Sequence, residues 1–202
     1  MEITKKADYD QTASFGQSNY TPLPKGGYVC KIFKAEAKET KDGQPMIHIA
    51  FDIAEGEYKG YFMDLFQSRK QNARDEFKEV KYPFEGQSWI VVTDYEDPNK
   101  TSRKFKGFCT ALEDSGTTVW NGNKFMLNAL DGAMVGIVYQ REEQEWEGKR
   151  SWRTLPWAFR SVDTIREDDY FVPEDKALPE KTDDVMMSEG FAKVDEDSIP
   201  FK

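Results

Sequence analysis

The sequence has a single histidine, His48, and only two cysteines, Cys30 and Cys109, which lie far apart in the chain. One histidine leaves a Ser-His-Asp or Cys-His arrangement with one candidate base, and its position within a strand pattern favours a sheet-face residue. Two isolated cysteines in apolar patterns favour reduced, buried packing residues over a disulfide or a metal site. We therefore expect no enzymatic activity, no metal and no cofactor.

Long apolar runs and phosphate-binding loops are also missing. No stretch approaches the roughly 18 apolar residues of a membrane span, and the N-terminus lacks the apolar segment of a signal peptide. We therefore expect a cytoplasmic protein with no membrane partner. Neither the G-x-x-x-x-G-K-[ST] loop nor the G-x-G-x-x-G motif occurs. The acidic run at residues 142–145 favours a solvated hairpin edge over a metal cluster.

The negative charge of the chain is concentrated at its C-terminal end. Residues 167–202 hold twelve Asp or Glu and four Lys, which accounts for −8 of the net charge of −9. This stretch has no sustained periodicity, so it cannot bury enough apolar surface to offset its ordering entropy. We expect a flexible N-terminal arm over residues 1–22, a folded domain over residues 23–165 and a disordered acidic tail over residues 166–202.

Strand patterns dominate the expected domain. Alternating apolar residues predict five strands, over residues 28–39, 46–54, 61–66, 132–146 and 150–162. A helix is predicted over residues 101–116, because apolar side chains recur there at i, i+3, i+4 and i+7. A mostly β chain with a helix between its third and fourth strands favours a five-stranded OB-fold-like barrel. A different five-stranded α+β sheet has nearly the same pattern.

Aromatic residues make up 14% of the chain, and several lie beside Lys or Arg. Unpaired DNA exposes base faces and a phosphate chain, so a sequence-tolerant binder needs aromatic platforms next to cations. The alternative role of each aromatic is core packing, with Lys and Arg extending over it. We expect nucleic acid to contact Lys31, Phe33, Phe62, Phe66, Arg69, Lys70, Lys149, Arg150, Trp152, Arg153 and Arg160.

The chain ends in DEDSIPFK, where an Ile-Pro-Phe group follows clustered acids. Together with an OB-like body and an acidic linker, this end resembles the bacterial single-stranded DNA-binding protein family, whose acidic tail ends in Asp-Ile-Pro-Phe. Ser198 replaces the Asp of that pattern, and Lys202 moves the terminal carboxylate one residue beyond Phe201. The resemblance implies recruitment of replication or repair proteins through Asp195, Glu196, Asp197, Ile199, Pro200 and Phe201.

The expected domain carries a second resemblance. The stretches LPKGGYVCKIFKAEAKE, FDIAEGEYKGYF, KFKGFCTALEDS and GAMVGIVYQREEQEW look like a group of phage-encoded single-stranded DNA-binding proteins of Gram-positive hosts. This resemblance implies an OB-fold, a role in phage DNA replication, recombination or repair, and no catalysis, in the host cytoplasm.

One alternative function and one question of assembly stay open. The low isoelectric point, near 4.8, is also compatible with an acidic adaptor or inhibitor that binds host proteins, including one that mimics DNA. A homo-oligomer formed through edge strands is compatible with the sequence, although no heptad or other dimer signature is visible.

Overall fold

A computed structural model describes residues 4–7, 21–73 and 79–179 of the chain. The strands in this part are β1 (Gly26–Glu39), β2 (Pro45–Ile53), β3 (Gln87–Val91), β4 (Trp120–Asn121), β5 (Lys124–Phe125), β6 (Met134–Trp146) and β7 (Lys149–Arg160). The helices are α1 (Tyr61–Asn72), α2 (Arg103–Asp114) and α3 (Val162–Arg166). The described chain is therefore mostly β, as predicted. None of its helices has the length and apolar content needed to span a membrane.

Five strands form one antiparallel sheet in the order β3-β2-β1-β6-β7, and β4 and β5 form a separate small hairpin. The long strand β1 is shared, because Gly26–Lys31 pairs with β6 and Cys30–Glu39 pairs with β2. A fourth sheet strand that returns to lie beside the first is the Greek-key order. Within the described residues no strand pairing joins β3 to β7, so the sheet does not close into the predicted barrel.

Four of the five predicted strands, the first two and the last two, are confirmed as β1, β2, β6 and β7. The helix predicted over residues 101–116 is confirmed as α2. The helix α2 begins where expected, since the Ser102 hydroxyl accepts a hydrogen bond of 3.1 Å from the Phe105 N–H. The third predicted strand, over residues 61–66, is wrong. These residues begin the helix α1, and the third strand of the sheet is β3.

The first turn of α1 is capped by a residue from β2. The carboxylate of Asp52 accepts the Phe62 N–H at 3.0 Å and the Met63 N–H at 3.1 Å. The residue before the helix, Gly60, has a φ of 81° and no side chain to cap with. Because the first N–H groups of a helix lack partners within the helix, Asp52 supplies from a distance the cap that the local sequence lacks.

One face of the sheet forms the hydrophobic core with α1 and α2. Alternate residues of β2 point into it, and Phe105, Phe108 and Leu112 of α2 pack against them. Both cysteines are free and buried in this core, as predicted. Burial raises the pKa of the Cys30 thiol well above its usual range and that of Cys109 to about 11. Such thiols are unreactive at neutral pH.

The first part of the expected disordered stretch, residues 166–179, is ordered. The chain after α3 follows the β6 strand, where the Lys176 N–H donates to the Arg141 carbonyl at 2.9 Å and the Glu143 N–H donates to the Lys176 carbonyl at 2.8 Å. The Asp175 carboxylate adds ion pairs to Lys25 at 2.6 Å and to Arg141 at 3.4 Å. The segment up to residue 179 is therefore packed on the domain, and the expected partner motif at residues 195–202 lies outside the described residues.

We expect Gly136→Ala to destabilise the fold, because α3 crosses β6 closely at this residue. A Cβ atom would lie 2.7 Å from the Ser161 carbonyl oxygen and 2.9 Å from that of Arg160, and backbone atoms cannot yield cheaply. Overpacking of this kind costs about 1–3 kcal/mol in the free energy of unfolding, which chemical denaturation measures. The control is Gly107→Ala in α2, where an added Cβ would meet no atom within 4 Å apart from its chain neighbours and the backbone of its own helix. There we expect a gain of up to about 1 kcal/mol, and an unchanged Gly136→Ala protein would contradict the packing.

Candidate functional site

The outer face of β1, β2 and β3 carries aromatic and charged side chains that point away from the core. Strand register aligns them in rows across the sheet, and one row consists of Glu36, His48 and Trp89. We call this surface, with the side chains packed at its border, the outer platform. It comprises Phe33, Lys34, Glu36, Lys38, His48, Phe66, Lys70, Tyr82, Phe84 and Trp89.

Three rings of the outer platform form a continuous stack. The ring centres of His48 and Trp89 are 4.7 Å apart, with an angle of 17° between the ring planes. The ring centres of Phe84 and Trp89 are 5.1 Å apart, with an angle of 24° between the planes. His48 is a sheet-face residue, as predicted. Its Nε2 is 2.8 Å from Gln87 Oε1, and the amide nitrogen of Gln87 donates to two carbonyls. Gln87 must therefore accept, so Nε2 of His48 carries a proton and the ring is held in place under Trp89.

A second aromatic group of the outer platform is centred on Tyr82. Its ring contacts Phe33 at 5.2 Å and Phe66 at 5.5 Å, in both cases edge to face. The Lys70 amine lies 4.4 Å from the centre of the Phe66 ring, a cation–π contact. The Tyr82 hydroxyl donates to the Phe51 carbonyl at 3.0 Å, and burial raises the pKa of this hydroxyl. Tyr82 thus brings together two predicted contact residues from different elements.

The charges on the outer platform leave it with excess positive charge. The Lys34 amine is 2.9 Å and the Lys38 amine 3.1 Å from the Glu36 carboxylate. Their hydrogen bonds hold the pKa of Glu36 at about 2, so this carboxylate is ionised at neutral pH and only partly offsets the two amines. The Lys104 amine of α2 lies 3.4 Å from the Trp89 carbonyl, and burial lowers the pKa of that amine.

A separate cleft of about 240 Å³ lies between α1 and the start of β7. We call it the hairpin cleft, and its walls include Tyr61, Arg69, Glu85, Trp152 and Arg153. The guanidinium carbon of Arg141 lies 4.8 Å from the Trp152 ring, and 40% of Trp152 is exposed. The hairpin cleft therefore combines the partly exposed rings of Tyr61 and Trp152 with the guanidinium groups of Arg69 and Arg153 and the carboxylate of Glu85.

The structure gathers six of the predicted contact residues on these two surfaces. Phe33, Phe66 and Lys70 belong to the outer platform, and Arg69, Trp152 and Arg153 belong to the hairpin cleft.

The prediction for Phe62 is wrong, because this side chain is fully buried between Phe51 and Tyr139, at 6.3 and 6.2 Å. It offers no face to a ligand.

The other predicted residues lie apart from these surfaces or are engaged within the protein. Lys31 and Lys149 are exposed on β1 and at the start of β7. Arg150 pairs with Glu143 and Glu145, each at 3.6 Å. The Arg160 guanidinium donates to the Phe159 carbonyl at 2.8 Å. We do not place these four residues in either surface.

Sequence reasoning missed Tyr82, Phe84 and Trp89. They lie in the stretch KYPFEGQSWIV, where Pro83 and Gly86 interrupt any alternation, so no strand was predicted there. The remaining signal was a cluster of three aromatic residues next to Lys81. In the part of the chain that the structure describes, no group of three or more His, Cys, Asp or Glu side chains could hold a metal ion.

Comparison with known proteins finds a family that matches part of the chain. The family described as "Protein of unknown function (DUF669)" matches residues 7–82. None of the curated proteins compared with the chain matches it. The matched stretch contains β1, β2 and α1 and ends at Tyr82, so it includes part of the outer platform but not the hairpin cleft's β7 wall.

Proposed function

We propose that this chain is a non-catalytic, sequence-tolerant single-stranded DNA-binding protein that acts in DNA replication or recombination. The observation that carries the proposal is the outer platform, where the Phe84–Trp89–His48 stack ends in a ring that is 50% exposed. A base stacked on an aromatic ring contributes roughly 1–3 kcal/mol regardless of its identity. The neighbouring amines of Lys34, Lys38 and Lys70 supply partners for phosphates.

The topology of the sheet supports the same proposal. An OB-fold is a five-stranded, partly open Greek-key barrel that binds oligonucleotides on its second and third strands and on the loops that follow the first and fourth strands. The corresponding elements here are β2, β3, the turn at residues 40–44 and the β6–β7 hairpin. Part of the outer platform lies on β2 and β3, and one wall of the hairpin cleft lies on the β6–β7 hairpin. We therefore propose an OB-fold-like domain with its seam open between β3 and β7.

Recruitment of replication or repair proteins through residues 195–202 is a further part of the proposal. The structure supports it only through the place where the described chain ends. The Arg150 guanidinium donates to the Pro179 carbonyl at 2.8 Å, so the following 23 residues start beside the β6–β7 hairpin.

A salt series of DNA affinities tests the proposed function. Fluorescence anisotropy would follow the binding of the full chain to a labelled oligonucleotide of about 20 nucleotides, longer than the roughly 4–16 that one such domain covers. We expect single strands to bind more tightly than a duplex of the same sequence, because only unpaired bases expose their faces. The logarithm of the association constant should fall linearly with the logarithm of salt concentration, by about 0.7 per phosphate contact.

Two results of the salt series would contradict the proposal. No binding at about 50 mM salt, where phosphate contacts are strong, would exclude a strand-coating role. Equal affinity for single strands and duplex would show that aromatic stacking does not contribute. An acidic adaptor that mimics DNA would give the first of these results.

A further inference from the structure

A third cleft, of about 870 Å³, opens next to the outer platform. One wall is the second half of β1, and the other is the β4–β5 hairpin with the 3-10 turn at Leu127–Leu130. We call it the edge cleft, and its walls include Phe33, Ala35, Asn121, Lys124, Phe125 and Asn128. The volume lies within the range of about 300–1,000 Å³ that accommodates small-molecule-sized ligands.

The wall formed by β1 is an open edge of the sheet. The last bonds on this side are Ile32 N–H to the Ala133 carbonyl and Gly132 N–H to the Ile32 carbonyl, both 2.9 Å. Beyond them β1 pairs only with β2 in the described part of the chain. In an antiparallel ladder, every second residue directs its peptide N–H and C=O toward the same neighbouring strand. Thr40 directs its N–H toward β2, where it bonds to the Gln44 carbonyl. Ala35 lies an odd number of positions away, so its N–H and C=O point away from β2 and face the edge cleft.

The opposite wall supplies groups that suit a nucleobase. Asn121 and Asn128 are exposed, and their side-chain amides are hydrogen-bonded to no other described residue. Each amide offers two donors and an acceptor. The rings of Phe33 and Phe125 add apolar surface, and the exposed Lys124 amine can meet a phosphate. Base edges present paired donors and acceptors, which an Asn amide can match in a bidentate manner.

We propose that the edge cleft receives unstacked bases of the strand bound on the outer platform, and that Asn121 and Asn128 read their edges. This inference rests on the proposed function. Phe33 belongs to both surfaces, since it contacts Tyr82 on the outer platform and also lines the edge cleft. A single strand can therefore pass from one to the other without leaving the protein. The consequence is a modest base preference added to otherwise sequence-tolerant binding.

A base fits this cleft better than an added peptide strand. Strand addition needs several consecutive free peptide groups with regular spacing. The stretch of β1 along the cleft contains the register shift between Ile32 and Lys34. Of the β1 residues that line the cleft, only Ala35 presents its peptide groups there, and Ala37 and Glu39 face the same edge outside the cleft. The Ala35 peptide N–H and C=O, together with the amides of Asn121 and Asn128, can bond to the edge of a base. They do not provide the row of peptide groups that a β-strand needs.

The test compares the affinities of the full chain for labelled dA, dC and dT oligonucleotides of equal length by fluorescence anisotropy. For the unmodified protein we expect at least one pair of homopolymers to differ by about fivefold or more, the lower end of one bidentate base contact. In the double variant Asn121→Ala/Asn128→Ala the difference should fall below about twofold, while affinity for the weakest homopolymer stays unchanged. The matched control, Asn99→Ala on an exposed loop, should keep the preference.

Each possible outcome separates this inference from the proposed function. Failure of every homopolymer to bind would overturn the proposed function and the inference together. Tight but equal binding of all three would leave the proposed function standing and overturn the base-reading role. A base preference that persists in the double variant would also overturn the base-reading role. So would the finding that a peptide strand occupies the edge cleft. Thermal denaturation of the double variant checks that it folds, and an abasic oligonucleotide of the same length should bind both proteins equally.

Discussion

Replacement of Phe62 by alanine should lower the free energy of unfolding by roughly 3–5 kcal/mol, the usual cost of removing a fully buried aromatic ring. Phe62 has no exposed surface and packs between Phe51 and Tyr139. It also lies on the first turn of α1, where its N–H bonds to Asp52. Since whole domains are stable by only about 5–15 kcal/mol, chemical denaturation should reveal the loss clearly. The melting temperature should fall by about 2–4 °C per kcal/mol.

The matched control is Phe66→Ala, one turn further along α1. Phe66 lies at the edge of the core against Tyr82 and is only partly buried, so we expect a loss of about 1 kcal/mol. Equal stability of the two variants would contradict the burial of Phe62. A Phe62→Ala protein that folds normally but binds DNA poorly would instead return Phe62 to the role that the sequence suggested.

Loss of two exposed rings from the outer platform should weaken DNA binding strongly. Phe33 and Phe84 are 40% and 50% exposed, so the double variant Phe33→Ala/Phe84→Ala should fold with nearly unchanged stability. Each ring can stack on a base, which contributes roughly 1–3 kcal/mol. We therefore expect the dissociation constant for an oligo-dT strand to rise on the order of 30-fold or more, measured by anisotropy at fixed salt concentration.

Two further variants define what that result means. Tyr95→Ala removes a ring that is 94% exposed on the loop after β3 but belongs to neither surface, and its affinity should match that of the unmodified protein. Trp152→Ala/Arg153→Ala alters only the hairpin cleft. If the Phe33/Phe84 variant binds normally and the Trp152/Arg153 variant does not, the strand lies in the hairpin cleft and the outer platform is not the interface.

The elements that sequence reasoning identified are those whose signal is local. Alternation in β2 and the Ser102 cap of α2 are encoded within a few neighbouring residues. The helix α1 has no such signal, since its sequence, YFMDLF, also alternates like a strand. What decides in favour of a helix is Asp52, a residue about ten positions earlier that caps the first turn across a β2–α1 contact. The strand β3 is only five residues long and is recognisable through its pairing with β2.

The same distinction applies to the candidate site. As a helical pair at i and i+4, Phe62 and Phe66 lie on the same side of α1, Phe62 in the core and Phe66 at the border of the outer platform. Only their depth differs, and depth depends on Phe51, Tyr139 and Tyr82 from other parts of the chain. Composition therefore indicated that exposed rings and cations would exist, but it could not separate a stacking ring from a core ring.

By itself, the sequence determined a mostly β chain, the positions of β1, β2, β6, β7 and α2, and an excess of aromatic residues near cations. Tertiary structure alone decided that, in the described part of the chain, β3 and β7 do not pair, and that Phe84, Trp89 and His48 stack on one face. The physical reason is the range of the interactions. Alternation and capping act between residues a few positions apart, whereas strand order, burial depth and ring stacking depend on contacts between residues tens of positions apart.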